Sequence, residues 1–239
     1  MDPSDVDQQL TGLAGLGDPI RRALYRHVAE RGVPVSRDEA AHAAGISRPL
    51  AAYHLDKLVD DGLLEPRYHR RGSRRGPGAG RPAKHYVRAD RQIELSLPTR
   101  DYAALAELLA GAVQADPTGA AQAALNRAAA SLGAELGTEA AATLVQADPD
   151  QVLTAVRQAL AARGYEPHDD PDGTIRLRNC PFDRIAAHHP QLICGANHAM
   201  LQGLTDQLDG DPPIQAVLDP QPGRCCVVLT RVVDGRAAG

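Results

Sequence analysis

Between Gly17 and Asp61 the chain is punctuated every dozen or so residues by a residue that starts or stops a helix. Asp18 and Pro19 suit a helix start, and Gly32 suits its exit. Ile20, Leu24 and Val28 fall between them at helical spacing. Ser36-Arg37-Asp38-Glu39 reads as a capping box opening a short helix that stops at Gly45. Ser47 then caps a third helix, SRPLAAYHLDKLVDD, with Pro49 tolerated in its first turn. These signals leave room for three short helices with tight turns and for little else. On the third helix Ala51, Leu55, Leu58 and Val59 share one face. Arg48, Ala52, Tyr53, His54 and Lys57 fall elsewhere and are expected to be free for a partner.

A helix, a tight glycine turn and a capped helix with a polar outer face form the helix-turn-helix pattern. Its second helix can enter the major groove of DNA and present its N-terminal residues to base edges. The next segment points the same way. From Arg67 to Arg88 there are eight Lys and Arg and no Asp or Glu. The middle, RGSRRGPGAGRP, cannot build a core, whereas LLEPRYH and AKHYVRA can pair as two strands. A hairpin with a basic, glycine-rich tip is a wing, and its cations add phosphate affinity without sequence choice. Charge is divided to match. Residues 1–93 hold 16 Lys and Arg against 12 Asp and Glu, and the rest hold 10 against 18. A basic first part on an acidic second part fits a nucleic-acid reader joined to something else.

The segments GDPIRRALYRHV, GISRPLAAYHLDKLVDDGLLE and GRPAKHYVRA resemble the ArsR-type winged-helix repressors of bacteria. The last of them, together with the C-terminal cysteines, resembles the branch that contains the SufR iron–sulfur repressors. The resemblance puts Ser47, Arg48, Tyr53 and His54 on the DNA-reading helix. It puts Arg70, Arg71, Arg74, Arg75 and Arg81 in the wing. Lys57 and Lys84 complete the residues expected to meet double-stranded DNA. It also implies a homodimer, since paired half-sites on an operator demand two readers.

The rest of the chain reads as helices followed by a small α+β domain. RDYAALAELLAGAVQA has helical spacing. Ala-rich segments follow to about residue 146, with breaks expected at Asp116-Pro117 and around Gly133 and Gly137. From residue 149 the order is helix, two strands, helix, two strands. The expected division is a flexible tail at 1–14, a winged helix-turn-helix domain at 15–92, a helical dimerisation region at 93–147 and a sensor domain at 148–239. The fold class is α+β.

All four cysteines, Cys180, Cys194, Cys225 and Cys226, lie in that last domain. In a chain expected to be cytoplasmic they suggest metal or redox chemistry before structural disulfides. Each sits at an element terminus. With Cys225 and Cys226 where a strand begins, alternation lets only one of them face a shared site. Cys194 and His198, at i and i+4, lie on one helix face and make His198 a candidate fourth ligand. The resemblance implies a [4Fe–4S] cluster held by Cys180, Cys194 and one of Cys225 and Cys226. Thiol redox sensing, core packing of the cysteines, and an organic effector in place of a metal are the other readings. The acidic, polar N-terminus does not read as a signal peptide, and no stretch approaches the ~20 apolar residues of a membrane helix. Cys194 with a nearby His could serve as nucleophile and base, but no oxyanion site or orienting carboxylate stands at diagnostic spacing, so no enzyme is expected.

Overall fold

The structure, a computed structural model, describes residues 3–69, 83–93, 100–144, 148–208, 212–221 and 223–232. The chain divides into two compact units, Met1–Arg100 and Asp101–Gly239.

The first unit begins with α1 (Pro3–Gly15), α2 (Pro19–Arg31), β1 (Val35–Ser36) and α3 (Arg37–Ala44). It continues with α4 (Arg48–Asp60), β2 (Leu64–His69) and β3 (Ala83–Arg88). The capping signals work as the local chemistry dictates. The Asp18 carboxylate accepts from the amides of Ile20 at 2.8 Å and Arg21 at 3.0 Å. Ser36 Oγ accepts from Glu39 N at 3.2 Å and starts α3. Gly32 and Gly45 close α2 and α3 with φ of 60° and 64°, a conformation that disfavours any side chain. The strands lie in the order β1-β3-β2, all antiparallel, with Tyr86 of β3 opposite Val35 on one side and Pro66 on the other. Leu24, Val28, Val35, Leu55, Leu58, Leu64 and Tyr86 form the core. Residues 1–14, expected as a flexible tail, are helical from Pro3 onward, and α1 brings Gly12 and Gly15 into buried positions. An added Cβ at Gly15 would meet the Asp61 side chain, and one at Gly12 would meet Ile93.

The second unit opens with α5 (Tyr102–Gln114), α6 (Ala120–Ala141) and α7 (Pro149–Ala162). Then come β4 (Pro167–Asp169), β5 (Ile175–Leu177), the single turn α8 (Asp183–Ala186), α9 (Pro190–Thr205), β6 (Ile214–Leu218) and β7 (Val227–Arg231). The sheet has the order β4-β5-β7-β6 and is antiparallel throughout. Val156, Leu160, Leu177, Leu201, Leu204, Val227 and Leu229 fill its core.

The breaks expected at Gly133 and Gly137 do not occur: α6 runs unbroken through both. These glycines are where α6 touches α9. A Cβ on Gly133 would collide with the Met200 carbonyl, one on Gly137 with the Leu204 carbonyl, and one on Gly203 with the Ala130 carbonyl. Close helix approach compensates for the lower helix propensity of glycine. The α6 helix, read as part of a dimerisation region, therefore packs within its own unit, against the same α9 that carries Cys194.

Candidate nucleic-acid interface and thiol site

The α4 helix is the second helix of the helix-turn-helix. Ser47 Oγ caps it by accepting from Leu50 N at 3.4 Å. Arg48 stands beyond the cap, 61 % exposed, and pairs with Asp38 at 2.6 Å. Tyr53 is 59 % exposed. The Lys57 side chain is half-exposed and lies 3.7 Å from Asp60 on its own helix. Ser47, Arg48, Tyr53 and Lys57 thus share the solvent side of α4. His54 does not, and the expectation that it is free for a partner is corrected. It is 8 % exposed, because Ala51, His54, Leu55 and Leu58 form one i, i+3, i+4, i+7 stripe turned to the core. Its Nδ1 is buried without a hydrogen-bond partner among the described residues.

The strands β2 and β3 form the expected hairpin, in register from Leu64↔Arg88 to His69↔Ala83. Arg70, Arg71, Arg74, Arg75 and Arg81 lie outside the described residues. Lys84 is described, and it is not a free cation. Its Nζ sits 2.6 Å from Asp56 Oδ1 on α4. The Tyr86 hydroxyl donates to the same oxygen at 2.7 Å and accepts from Arg37 Nε at 2.8 Å. Arg37 Nη2 reaches Asp56 Oδ2 at 3.1 Å. Burial opposes the Asp56 charge, but the hydrogen bonds from Lys84 and Tyr86 outweigh it and hold the carboxyl below its ordinary value. Burial, then the Asp56 bond, pushes the Tyr86 phenol up to about 12. This four-residue network joins the reading helix to β3 of the hairpin. Sequence reasoning missed Arg37, Asp56 and Tyr86, since nothing local marks a contact made across thirty residues of chain.

In the second unit the antiparallel pairing of β5 with β7 explains how distant cysteines meet. It sets the end of β5, followed by Cys180, beside the start of β7, preceded by Cys225 and Cys226. Cys225 N donates to Leu177 O at 3.0 Å, and Asp219 N donates to Cys226 O at 2.8 Å. The pair therefore lies ahead of β7, in bent backbone. Strand alternation does not separate the two side chains, and the expectation that only one faces a shared site is corrected. Cys225 neighbours Cys180 and Cys226, and Cys226 also neighbours Cys194 early in α9, closely enough for their charges to interact. All four thiols form one set.

That set is electrostatically uneven. Hydrogen bonds from Cys180, then Cys226, the Val227 amide and Asn197 draw the Cys225 thiol well below its ordinary value despite burial. Sharing hydrogen bonds with Cys225, together with burial, drives Cys180 and Cys226 upward. Asn197, 2 % exposed, donates to Cys225 Sγ at 3.3 Å and accepts from the Tyr165 hydroxyl at 2.5 Å. Burial, then the nearby cysteine charge, raises the Tyr165 phenol. His198 takes no part: its Nε2 lies 3.0 Å from the Ala216 carbonyl on β6, so the i, i+4 geometry serves the sheet. Sequence reasoning missed the role of Asn197, since no local pattern marks an amide that reaches Cys225 across twenty-eight residues.

Among the described residues no group of three or more His, Cys, Asp and Glu side chains is arranged to hold a metal ion. The donor chemistry nonetheless fits an iron–sulfur cluster, which takes soft, anionic thiolates.

A helix-turn-helix with an exposed, capped second helix and a following hairpin defines a DNA-reading unit. The comparison with known families agrees: residues 16–67 match the family model described as a helix-turn-helix domain. No curated protein and no solved structure matches the chain. The chain thus carries the DNA-binding domain of a transcriptional regulator. Among the described residues no helix is long and apolar enough to cross a membrane.

Proposed function

We propose that this regulator acts as a homodimeric repressor on a double-stranded operator, and that its second unit senses redox state or iron–sulfur supply. What supports the sensing half is the gathering of four thiols from three separate segments into one neighbourhood. Cys180, Cys194 and Cys225 or Cys226 are the residues that would hold a [4Fe–4S] cluster. When bound, such a cluster supplies a redox-labile cross-link between segments.

The chain's own part is to gather and to transmit. The β5–β7 pairing brings Cys180 to Cys225. Early placement of Cys194 in α9 ties the site to the helix that packs on α6. Asn197 steadies the charge on Cys225. A change in thiol spacing biases the unit between two arrangements, and only one suits the operator. On the DNA side Ser47, Arg48, Tyr53 and Lys57 are offered to the groove, with Arg70, Arg71, Arg74, Arg75 and Arg81 for the phosphates.

The test is a DNA-binding titration of the full chain at fixed salt, reconstituted anaerobically with iron and sulfide or left iron-free. Coupling of the usual size changes affinity by ~5–150-fold. A brown protein with acid-labile sulfide is expected, and Cys194→Ala should not load iron while keeping its fold. Equal DNA affinity in both preparations overturns the sensing role and leaves the DNA-reading role intact.

A further inference from the structure

The outer side of α5 is uncovered. Tyr102, Leu105, Leu108 and Leu109 are 69, 52, 72 and 60 % exposed. Glu107 is the one charged residue within the helix, and two histidines hold it. Its Oε1 is 2.7 Å from His188 Nδ1, and its Oε2 is 2.9 Å from His189 Nε2. The second ring nitrogen of His189 lies 2.6 Å from Gln114 Oε1 at the far end of α5. The charge is thereby engaged within the unit, and the exposed leucines stand on a face without ions.

Beside α5 lies a groove of about 470 Å³ walled by α5, α6, α8 and α9. Leu109, Val113, Leu132, Phe182, Ile193 and Met200 line much of it, and among the described residues no charged side chain does. An ion-free ridge next to an ion-free groove excludes nucleic acid and charged peptides as occupants, since neither finds a counter-charge. The geometry instead favours self-association. Ridge and groove share α5, so under a two-fold axis each copy offers its ridge to the other's groove. Leu105, Leu108 and Leu109 have the i, i+3, i+4 spacing of a helix that lies in a groove. The exposed large side chains amount to roughly 500 Å² of apolar surface. That is more than half of the about 800 Å² per partner found in a stable interface.

The groove also shares a wall with the thiols. Asn197 lines it while donating to Cys225 Sγ at 3.3 Å. Phe182 follows Cys180 by two residues, and Ile193 directly precedes Cys194. A change at Cys225 that breaks the Asn197 bond alters a residue of the α9 wall.

We propose that this groove seats α5 of a second copy of the chain, and that Asn197 carries changes at the thiols into that contact. The proposal rests on the regulatory reading above for its consequence, since two linked readers are what a two-fold operator needs. It does not require a cluster, because any change at Cys225 acts through the same amide.

Sedimentation equilibrium of the full, reduced chain tests it. The wild type is expected to be a dimer at micromolar concentration. Leu108→Lys and Leu105→Lys, both at exposed positions, should raise the dissociation constant by about 100-fold or more while circular dichroism stays unchanged. A monomeric wild type, or a Leu108→Lys chain that dimerises as well as wild type, overturns the interface. Capping the thiols with methyl methanethiosulfonate should shift the wild-type constant by ~5-fold or more, and Asn197→Ala should remove most of that shift. An unchanged constant in the capped wild type overturns the link to the thiols. A monomer that still binds DNA sinks this interface alone. A dimer that binds no DNA sinks the regulatory reading and spares the interface.

Discussion

Asp56 and Lys84 meet at 2.6 Å, and through this pair the reading helix α4 is fastened to β3 near the loop end of the paired strands. Twenty-eight residues of chain separate them. Arg37 and the Tyr86 hydroxyl close the arrangement around the same carboxylate. A cation expected to face DNA is in this way engaged in holding the hairpin against the helix.

Asp56→Asn should lower stability by about 1–2 kcal/mol, because it leaves Lys84 and Arg37 without their counter-charge and weakens the Tyr86 bond. Thermal unfolding measures the loss. The pH dependence follows from the lowered carboxyl value. A depressed acid contributes stability above its unfolded value of about 3.9, and the contribution fades as pH falls through the folded value below that. The gap between wild type and Asp56→Asn should therefore be constant from neutral pH to about pH 5 and should close in stronger acid.

His54 and Tyr53, adjacent in sequence, should respond oppositely. Tyr53→Ala should weaken DNA binding with little change in stability, as the side chain is largely exposed. His54→Leu should leave DNA affinity unchanged. It should hold or raise the melting temperature, since it removes a buried nitrogen that has no partner among the described residues. Fluorescence anisotropy with labelled DNA and a thermal melt on each variant separate the two roles. A loss of affinity in His54→Leu at full stability would restore His54 to the interface.

The features legible in the sequence were those set by local chemistry. Asp18, Ser36 and Ser47 announce helix starts through their own side chains, and Gly32 and Gly45 announce ends through their backbone freedom. The alternation of two strands, a helix and two strands in the second unit was readable for the same reason. What escaped depends on partners far away in the chain. The β5–β7 pairing, which gathers the thiols, joins Ile175 to Leu229. The glycines of α6 looked like breaks because the α9 carbonyls that they accommodate cannot be seen from their neighbours. His54 was misplaced because histidine is read as polar, although its spacing from Ala51, Leu55 and Leu58 already assigns it to the core stripe.

Gly203→Ala tests the helix seam directly. The new methyl group would meet the Ala130 carbonyl, which is backbone and cannot rotate away. Overpacking of this kind costs about 1–3 kcal/mol. At a solvent-facing helix position the same substitution would add stability through helix propensity. A melting temperature that falls supports the seam, and one that rises refutes it.

Cys180→Ala should move the charge at the thiol site. In the wild type the bond from Cys180 is the largest influence lowering the Cys225 thiol, ahead of Cys226, Val227 and Asn197. Removing it takes away a donor to the thiolate and leaves burial, which favours the neutral thiol, less opposed. The Cys225 thiol should therefore titrate at a higher pH in Cys180→Ala. Ultraviolet thiolate absorbance, followed against pH in the reduced chain, should show wild type holding thiolate into mild acid and the variant losing it earlier as pH falls. The sign for stability follows from the lowered value: ionised Cys225 stabilises the fold above the ordinary thiol range, and that contribution is lost as pH drops through its folded value. Below the ordinary thiol range, where the raised Cys180 contributes a constant amount, wild type should thus lose more stability than Cys180→Ala as pH falls. Identical absorbance titrations for the two proteins would mean that Cys180 does not donate to Cys225 and that the four thiols do not act as one set.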